Sequence, residues 1–456
     1  MEYFWDNSRA AERTAIITPT GETYTYEALY ALADAIAEPL AGSRKLVFLR
    51  CKNTPRTVAA YLGCLRHGHV ALLLNEGMEE GLFHRLVELY RPQFIFRDDS
   101  AESAMQPLSD NGEHAAELHP DLALLLSTSG STGSPKLVRL SLRNLQSNAE
   151  SIAQYLQLTD KERPVTNLPM YYSYGLSVIN SHLLVGACLL LTEDSLISPR
   201  FWKFCDEQTV TSLSGVPYTY EMLDAFGFRK RELPGLRSMT QAGGHMPAQR
   251  VSAYAEWAKE RGIRFYIMYG QTEATARMSY LPPEQGLDHP DSIGIPIPGG
   301  SFCIEDAEGR SIQDTGIAGE LIYQGPNVSL GYAETGDDLS LGDENHGRLH
   351  TGDMAKRDEN GLYYITGRLK RFLKIAGNRF GLDELESYFS RLGIETVCGG
   401  SDGRLLIAIT HPEDKDAVAA ALKDTWHLLK SQYRIISIER IPRSATGKIL
   451  YQEIFS

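Results

Sequence analysis

The chain has 456 residues, of which 43% are hydrophobic and 23% charged, so it is long enough to fold into two or more globular domains. Its net charge of −13, without a dense run of lysine or arginine, excludes a nucleic-acid binder that neutralises phosphates on a basic face. Six scattered cysteines without a Cys-x-x-Cys pair indicate neither a disulfide framework nor a zinc site.

The first 120 residues alternate between strand and helix patterns. Apolar runs at 47–49 and 70–74 predict buried strands, and helical spacing covers 26–40 and 55–67. This alternation favours an α/β fold with a parallel sheet. Because the N-terminus lacks a signal pattern and the longest apolar run, near 183–191, is about half a membrane span, we expect a cytoplasmic protein without membrane insertion.

Residues 122–140 predict a strand, a loop and a second strand. The loop at 127–136 reads Ser-Thr-Ser-Gly-Ser-Thr-Gly-Ser-Pro-Lys. Glycines let backbone amides approach an oxyanion, hydroxyls donate hydrogen bonds, and lysine adds charge, so the loop suits a polyphosphate. Its spacing excludes a Walker loop, because Gly130, Gly133 and Lys136 are each three residues apart. A flexible serine-rich surface turn is the alternative for this loop taken alone.

The middle of the chain contains several strand-like runs that end in glycine, proline or polar residues. A helix is predicted at 143–156, with Ser141 as its N-cap. Runs at 213–217 and 236–244 end in proline and glycine, and a third run at 265–273 ends in Tyr-Gly-Gln-Thr-Glu. Ligands bind at the carboxyl ends of strands in α/β sheets, so these segments are site candidates.

From Gly294 onward the chain is glycine-rich and strand-like, which predicts a small distorted β-barrel. It includes Thr-Gly-Asp at 351–353 and Gly-Arg at 367–368. The charge density then increases, and we place a hinge at Lys370. This hinge would separate an N-terminal domain, 1–369, from a small mobile α+β domain, 370–456, that ends with Ser-Ala-Thr-Gly-Lys at 444–448.

Three of these stretches resemble the motifs of the acyl-adenylate-forming superfamily in residue sequence and in order along the chain. They are 127–136, 269–273 and 444–448. This superfamily contains acyl- and aryl-CoA ligases, peptide-synthetase adenylation domains and luciferases, and the resemblance covers about residues 20–450. It implies a large N-terminal domain of parallel-rich α/β subdomains with the small barrel, followed by the mobile domain. It also implies an acid-thiol ligase that forms acyl-AMP from Mg·ATP and a carboxylate, then transfers the acyl group to CoA.

The resemblance assigns a role to each matching residue. Catalysis would fall to Lys448, Thr272 and Glu273, with Glu273 as the Mg²⁺ ligand. ATP would contact Thr128, Ser129, Gly130, Ser131, Thr132, Gly133, Lys136, Gly243, Gly244, Tyr269, Gly270, Gln271, Asp353 and Arg368. The substrate pocket would include Tyr172, Tyr174, Gly175 and Val216. Rotation about the hinge would bring a thiol-access loop over the site, with Lys374 and Gly377.

The substrate expectation depends on Gly175. Amino-acid-activating relatives have an aspartate at the matching position, and no acidic residue lies between 168 and 186 here. A buried ammonium without a counter-charge costs several kcal/mol, so we expect an acid that lacks an α-amino group. The aromatic and small residues assigned to the pocket suggest an apolar or aromatic acid.

Other members of the superfamily leave alternatives open. Leu137 and Leu142 replace a usual glycine and a frequent histidine, which weakens the transfer of any subfamily label. The acceptor could be the phosphopantetheine of an acyl carrier protein instead of CoA. A luciferase-like oxygenase would use the same adenylation residues, and a non-catalytic acyl-AMP binder would be expected to lack Lys448 or Glu273.

Overall fold

The computed structural model describes residues 3–98, 105–108, 116–127, 136–369, 371–375, 378–444 and 449–455. The part before residue 142 contains β1 (Thr14–Ile17), β2 (Thr23–Thr25), α1 (Tyr26–Ala37), β3 (Leu46–Cys51), α2 (Pro55–Arg66), β4 (Val70–Asn75), α3 (Glu80–Tyr90), β5 (Phe94–Arg97), β6 (Gln106–Pro107), β7 (Leu122–Ser127) and β8 (Leu137–Ser141). The predicted strands at 47–49 and 70–74 and both predicted helices are therefore confirmed.

The next part, up to residue 296, contains α4 (Leu142–Tyr155), α5 (Ser173–Leu184), β9 (Leu189–Leu190), α6 (Pro199–Glu207), β10 (Ser212–Gly215), α7 (Pro217–Ala225), β11 (Ser238–Gln241), α8 (Ala248–Glu260), β12 (Arg264–Tyr269), β13 (Ser279–Leu281) and β14 (Ile295–Pro296). The N-cap prediction for α4 is confirmed. The Ser141 side chain accepts from the Asn144 amide, and the Asn144 side chain accepts from the Ser141 amide, which satisfies two amides at the helix start.

The largest sheet has seven strands in the order β17-β8-β7-β4-β3-β5-β6, where β17 is Gly331–Ala333. Its centre, β7-β4-β3-β5, is parallel as predicted. Successive residues of β3 face opposite layers: Val47 and Leu49 pack with α1 and α2, whereas Leu46 and Phe48 pack with α3. Burial on both faces explains why these strands are continuous apolar runs.

A second sheet, in the order β10-β11-β12-β13-β14, has three parallel strands followed by two antiparallel ones. A third sheet contains β15 (Ser301–Glu305), β16 (Gly319–Gln324), β18 (Arg348–Arg357) and β19 (Tyr363–Arg368), in the order β15-β16-β18-β19. It is antiparallel and, among the described residues, its outer strands β15 and β19 do not pair with each other. The predicted distorted barrel is therefore corrected to an open sheet.

The C-terminal part contains β20 (Phe372–Ile375), β21 (Asn378–Gly381), α9 (Leu382–Arg391), β22 (Thr396–Ser401), β23 (Arg404–Ile409), α10 (Lys415–Asp424), β24 (Tyr433–Ser437) and α11 (Tyr451–Phe455). Its strands pair with one another, and Leu385, Phe389 and Ile407 belong to a separate apolar cluster. The boundary at Lys370 lies outside the described residues and stays a prediction. Within the described ranges, no helix is long and apolar enough to cross a bilayer.

Candidate active site at the ends of three parallel strands

Three parallel strands of the second sheet end side by side. The register pairs Gly215 of β10 with Gln241 of β11, and Gln241 with Ile267 of β12. This is the edge at which open α/β sheets bind ligands. The segments that follow these strands contain the predicted site residues Val216, Gly243, Gly244, Gly270, Gln271, Thr272 and Glu273.

Gly270 is required by a close backbone contact. A Cβ atom at this position would lie 1.7 Å from the carbonyl oxygen of Ala276. The chain returns to Gly270 through Thr275 and Ala276, whose φ angles of 56° and 95° are uncommon for residues other than glycine. Backbone strain of this kind costs about 1–3 kcal/mol per residue and concentrates at functional sites. The tight return fixes Glu273, which lies within the loop.

Asp353 is a buried carboxylate that joins three of the predicted site residues. It accepts hydrogen bonds from the Tyr269 hydroxyl at 2.5 Å and from Gln271 Nε2 at 3.0 Å, and Arg368 Nε lies 3.0 Å from its Oδ1. Burial and the adjacent carboxylate raise the pKa of Tyr269 well above its usual range, so the hydroxyl stays a donor. An oriented carboxylate beside the end of β12 can accept from the two hydroxyls of a ribose.

Glu273 and Lys136 meet at Tyr332, a residue that the sequence did not single out as functional. The Tyr332 hydroxyl donates to Glu273 Oε1 at 2.8 Å, and Lys136 Nζ lies 3.7 Å from the centre of the Tyr332 ring. Lys136 Nζ is also 3.5 Å from Glu334. Tyr332 lies on β17, which pairs with β8 directly after the glycine-rich loop. The end of that loop and the proposed metal ligand therefore share one aromatic residue.

The predicted substrate residues Tyr172 and Val216 converge on Gly243, which was predicted to contact ATP. A Cβ atom at Gly243 would lie 2.4 Å from the Tyr172 hydroxyl and 3.2 Å from Val216 Cγ1, and the φ of Gly243 is +82°. The Tyr174 ring lies 6.3 Å from the Tyr172 ring, and its hydroxyl donates to the Thr240 carbonyl at 3.0 Å. Ser173, at the start of α5, is 3.2 Å from the Thr272 hydroxyl, which joins this pocket to the nucleotide motif.

Gly175 has a packing role that the sequence did not reveal. A Cβ atom there would lie 2.3 Å from the carbonyl oxygen of Pro169 and 2.9 Å from that of Leu168. A side chain at this position would meet the backbone of the preceding turn, so glycine is needed for α5 to begin here. The membership of Gly175 in the substrate pocket stays a prediction, and its lack of a carboxylate is a weaker guide to the substrate than expected.

A buried cation lies against Tyr174, a residue predicted to line the substrate pocket. The Arg277 side chain, in a residue 1% exposed, lies 4.4 Å from the centre of the Tyr174 ring. Its backbone carbonyl accepts from the side-chain amides of Asn148 and Asn327. A single arginine after a glutamate motif is usually a solvated charge, so no sequence signal indicated that this one would be buried beside a predicted substrate residue.

Several predicted residues lie outside the described part of the chain. These are Thr128, Ser129, Gly130, Ser131, Thr132, Gly133, Lys370, Gly377 and Lys448. Arg443 and Ile449, which flank the segment 445–448, pair as an isolated bridge. The Arg443 guanidinium lies 3.9 Å from Glu221 and 5.7 Å from the Tyr218 ring, both on α7, the helix that follows Val216. The described flanks of the C-terminal motif therefore contact the helix next to the pocket.

Lys374 is not brought to this site by any described contact. It is exposed on β20, where its amide donates to Asp402 and its carbonyl accepts from Gly403. Both contacts remain within the C-terminal part of the molecule. The proposed role of Lys374 in thiol access stays a prediction that depends on a second orientation of that part.

The described residues fit a magnesium ion that binds together with a nucleotide. They contain no group of three or more His, Cys, Asp or Glu side chains that could hold a metal by itself. Magnesium commonly uses one or two carboxylates together with substrate phosphates and water. The Glu273 carboxylate, held by Tyr332 beside Lys136, is a donor of this type.

Comparison with known proteins identifies relatives over most of the chain. Residues 3–333 match the family described as AMP-binding enzyme. A long-chain-fatty-acid–CoA ligase of Escherichia coli O157:H7 is 31% identical over 356 residues, which are 74% of this chain and 62% of the relative. An oxalate–CoA ligase of Arabidopsis thaliana is 30% identical over 356 residues, 74% of this chain and 68% of that protein. The matched region thus spans less than two thirds of the bacterial relative.

A solved structure extends the likeness in fold to the whole chain. The o-succinylbenzoate CoA synthetase of Bacillus subtilis, in complex with its acyl-adenylate intermediate, superposes with a TM-score of 0.80. The match covers 100% of this chain and 98% of that one at 24% sequence identity. This likeness supports the architecture described above, including the small C-terminal part.

Proposed function

This chain belongs to the AMP-binding enzyme family, and from that premise we propose that it activates a carboxylic acid as an acyl-adenylate and transfers the acyl group to a thiol. The observation that carries the proposal is the meeting of three distant stretches of sequence. The end of the glycine-rich loop and Glu273 meet at Tyr332, and Asp353 accepts from Tyr269 and Gln271 of the same strand end.

Each contact supports a role toward ATP. Asp353, oriented by Tyr269 and Gln271, would accept hydrogen bonds from the ribose, with Arg368 beside it. Lys136 and the predicted loop residues before it would bind the β- and γ-phosphates. Glu273 would hold Mg²⁺, which when bound neutralises phosphate charge. Thr272 would donate to the α-phosphate.

The proposed reaction has two steps. One oxygen of the substrate carboxylate attacks the α-phosphorus of ATP, and the bond from that phosphorus to the bridging oxygen breaks, which releases pyrophosphate. A thiolate then attacks the acyl carbon, the bond to the AMP oxygen breaks, and AMP leaves. Because charge develops on phosphate oxygens, catalysis depends mainly on positioning and electrostatic stabilisation by Lys136, Thr272 and the predicted Lys448.

The substrate we propose is a carboxylic acid without an α-amino group. The residues that converge on Gly243, together with Tyr174 and Arg277, include no carboxylate that could pair with an ammonium. The buried guanidinium also disfavours a second cation in the same pocket. Gly175 is a weaker guide to the substrate, because a Cβ atom at this position would meet the backbone of Pro169.

CoA is the acceptor we propose, because the named relatives are CoA ligases. The phosphopantetheine of a carrier protein has the same thiol and is the alternative. The proposal is tested by measuring pyrophosphate release for a panel of acids with hydroxylamine as a trap for acyl-AMP. When free CoA replaces hydroxylamine, thioester should form at the rate of pyrophosphate release. Thioester formed only when a carrier protein is added would favour the alternative.

Replacing Lys448 tests whether this residue acts in adenylation and not in thioester formation. Lys448→Ala should reduce adenylation by several orders of magnitude and leave thioester formation from supplied acyl-AMP nearly unchanged, since its ammonium would act in the first step only. Rapid mixing with synthetic acyl-AMP measures the second step separately. Equal losses in both steps would contradict this role.

A further inference from the structure

The Tyr172 side chain begins a row of packed side chains that runs inward from the end of β11. Tyr172 is 9% exposed and its hydroxyl lies beside Gly243, where a Cβ atom would also lie 3.2 Å from Val216 Cγ1. Gly244, the next residue, is exposed. A substrate that enters at this strand end therefore meets Val216 and the Tyr172 ring before it meets the interior.

Tyr174 is the next side chain inward, and it is held on two sides. Its ring packs edge-on against the Tyr172 ring, with the ring centres 6.3 Å apart and the ring planes at 65°. Its hydroxyl donates to the Thr240 carbonyl at 3.0 Å and is 2.7 Å from Thr240 Oγ1. The Arg277 guanidinium lies 4.4 Å from the centre of the same ring. Because Tyr174 is held at its hydroxyl and at its ring face, Tyr172 cannot move inward without displacing it.

Arg277 holds the inner end of the row. Its Nε donates to Ser177 Oγ at 3.1 Å, and its Nη1 donates to the Tyr155 hydroxyl at 3.0 Å. The Tyr155 ring in turn stacks on the Tyr280 ring, with the ring centres 4.4 Å apart. The side chains between α4, α5 and the second sheet therefore hold one another in place.

Two cavities beside α5 are small. One adjoins Arg277 and has His182 in its lining, and the other is lined in part by Asn148 and Asn180. Each has a volume of about 10 Å³, which is room for about one water molecule and not for an alkyl chain. An acyl chain that extended past Tyr172 would have to displace packed side chains, and overpacking of this kind destabilises a core.

We propose that Tyr172 ends the acyl pocket and restricts the substrate to short-chain aliphatic acids, of butanoate length or shorter. This proposal rests on the proposed function, because it specifies the acid that the same site activates. The carbons of a short acid can lie against Val216 and the Tyr172 ring, whereas a longer chain or an aromatic ring would need the space that the Tyr172 ring fills. The expected specificity therefore differs from that named for the bacterial relative, a long-chain-fatty-acid–CoA ligase.

A series of straight-chain acids from acetate to decanoate tests the wild-type protein. Pyrophosphate release with hydroxylamine as the trap gives kcat/KM for each acid. This value should increase about fourfold for each methylene group that becomes buried, the factor equivalent to about 0.8 kcal/mol, and should reach its maximum at butanoate or earlier. It should then fall by at least about tenfold between butanoate and octanoate, because the longer chain does not fit.

Replacing Tyr172 tests the residue itself. The measured quantity is the ratio of kcat/KM for octanoate to that for propanoate, since a ratio within one protein cancels any loss that affects both acids. Tyr172→Ala removes the ring and should raise this ratio at least about 30-fold above the wild-type ratio. Tyr172→Phe removes only the hydroxyl and should raise it less than about fourfold, the factor for one methylene group.

Tyr30→Ala is the matched control. Tyr30 is also a buried tyrosine, 8% exposed, but it packs in the apolar cluster that contains α1 and α2. Its replacement should leave the ratio unchanged. Circular dichroism and thermal unfolding establish that each variant is folded. If Tyr172→Ala does not fold or loses all activity, the wild-type series decides.

The outcomes separate this inference from the proposed function. A wild-type preference for octanoate or longer acids, or activity with aromatic acids only, would overturn this inference and leave the proposed function intact. A preference for short acids with an unchanged ratio in Tyr172→Ala would overturn the role of Tyr172. No pyrophosphate release with any acid, in this series or in the wider panel, would instead contradict the proposed function, and this inference with it.

Discussion

Two fully buried arginines, Arg139 and Arg277, differ in whether a carboxylate of the described structure neutralises their charge. Arg139 donates from Nε to the carbonyl of Tyr332, from Nη1 to two further carbonyls and from Nη2 to a carbonyl, and it pairs with the Glu344 carboxylate. Arg277 contacts hydroxyls and an aromatic ring and has no acidic partner among the described residues. Burial alone therefore does not show whether a charge is neutralised within the protein.

The two arginines differ in the groups that surround each guanidinium. Around Arg139, the protein supplies the counter-charge and the carbonyl acceptors, and the result is a fixed junction between β8 and the strand with Tyr332. Around Arg277, the described residues supply no counter-charge, and a cavity with room for about one water adjoins the cation. The charge of Arg139 is neutralised within the protein, whereas the described neighbours of Arg277 supply hydroxyls and an aromatic ring but no carboxylate.

Replacing Arg139 tests the structural side of the comparison and should give the largest effect. Arg139→Met should lower the free energy of unfolding by about 4 kcal/mol, because carbonyl groups and Glu344 lose their partner. Chemical denaturation measures this change. Arg200→Met, at an exposed ion pair with Asp194, is the control and should cost less than about 1 kcal/mol. A loss below about 1 kcal/mol for Arg139→Met would contradict a structural role for Arg139.

His182 tests the electrostatics of the cavity. Its pKa is about 4 in the folded protein and near 6.5 when unfolded, so the unfolded chain binds more protons between these values. Stability should therefore fall as pH decreases from about 6.5 to about 4, by roughly 3 kcal/mol from this group. His182→Asn should lack this part of the pH dependence. His69, whose pKa is also lowered to about 4 by burial, contributes equally to both proteins.

Replacing Arg277 should affect stability in the direction opposite to Arg139. Arg277→Met exchanges a buried charge without a carboxylate for an apolar side chain of similar length. The free energy of unfolding should stay the same or increase by about 1 kcal/mol, as for other buried charges replaced by well-packed apolar groups. The same denaturation measurement applies. A decrease of more than about 2 kcal/mol would show that the guanidinium is a structural group like Arg139.

Tyr332 lies where the structural region and the site meet, and its replacement should affect activity and not stability. Its carbonyl accepts from Arg139 and its hydroxyl donates to Glu273. Tyr332→Phe removes only the second contact, so kcat/KM for adenylation should fall about five- to tenfold, equivalent to about 1 kcal/mol, with stability nearly unchanged. Unchanged kcat/KM would mean that this hydrogen bond does not position Glu273.

The sequence predicted the features that local chemistry determines. Continuous apolar runs indicated β3 and β4, the Ser141 N-cap marked the start of α4, and Tyr-Gly-Gln-Thr-Glu was correctly placed at a strand end. The open third sheet was predicted as a barrel, because turn spacing indicates strands but not whether the first and last of them pair.

The contact partners of the site residues could not be predicted without knowledge of the fold. Tyr332 reaches Glu273 across 59 positions of sequence, and no local pattern connects them. Arg277 is only four residues from Glu273, yet its burial depends on the left-handed return through Thr275 and Ala276. The sequence indicated only that position 175 lacks a carboxylate. The structure shows that glycine is required there because a side chain would meet the backbone of Pro169.

The most direct test of whether this site forms an acyl-adenylate is a reaction without the thiol. Wild-type protein is mixed with Mg·ATP and the preferred acid, and the products are identified by mass spectrometry. We predict acyl-AMP and pyrophosphate in equal amounts, with neither formed when the acid is omitted. Formation of ADP with an acyl phosphate, or of no acyl-nucleotide from any acid, would contradict the account.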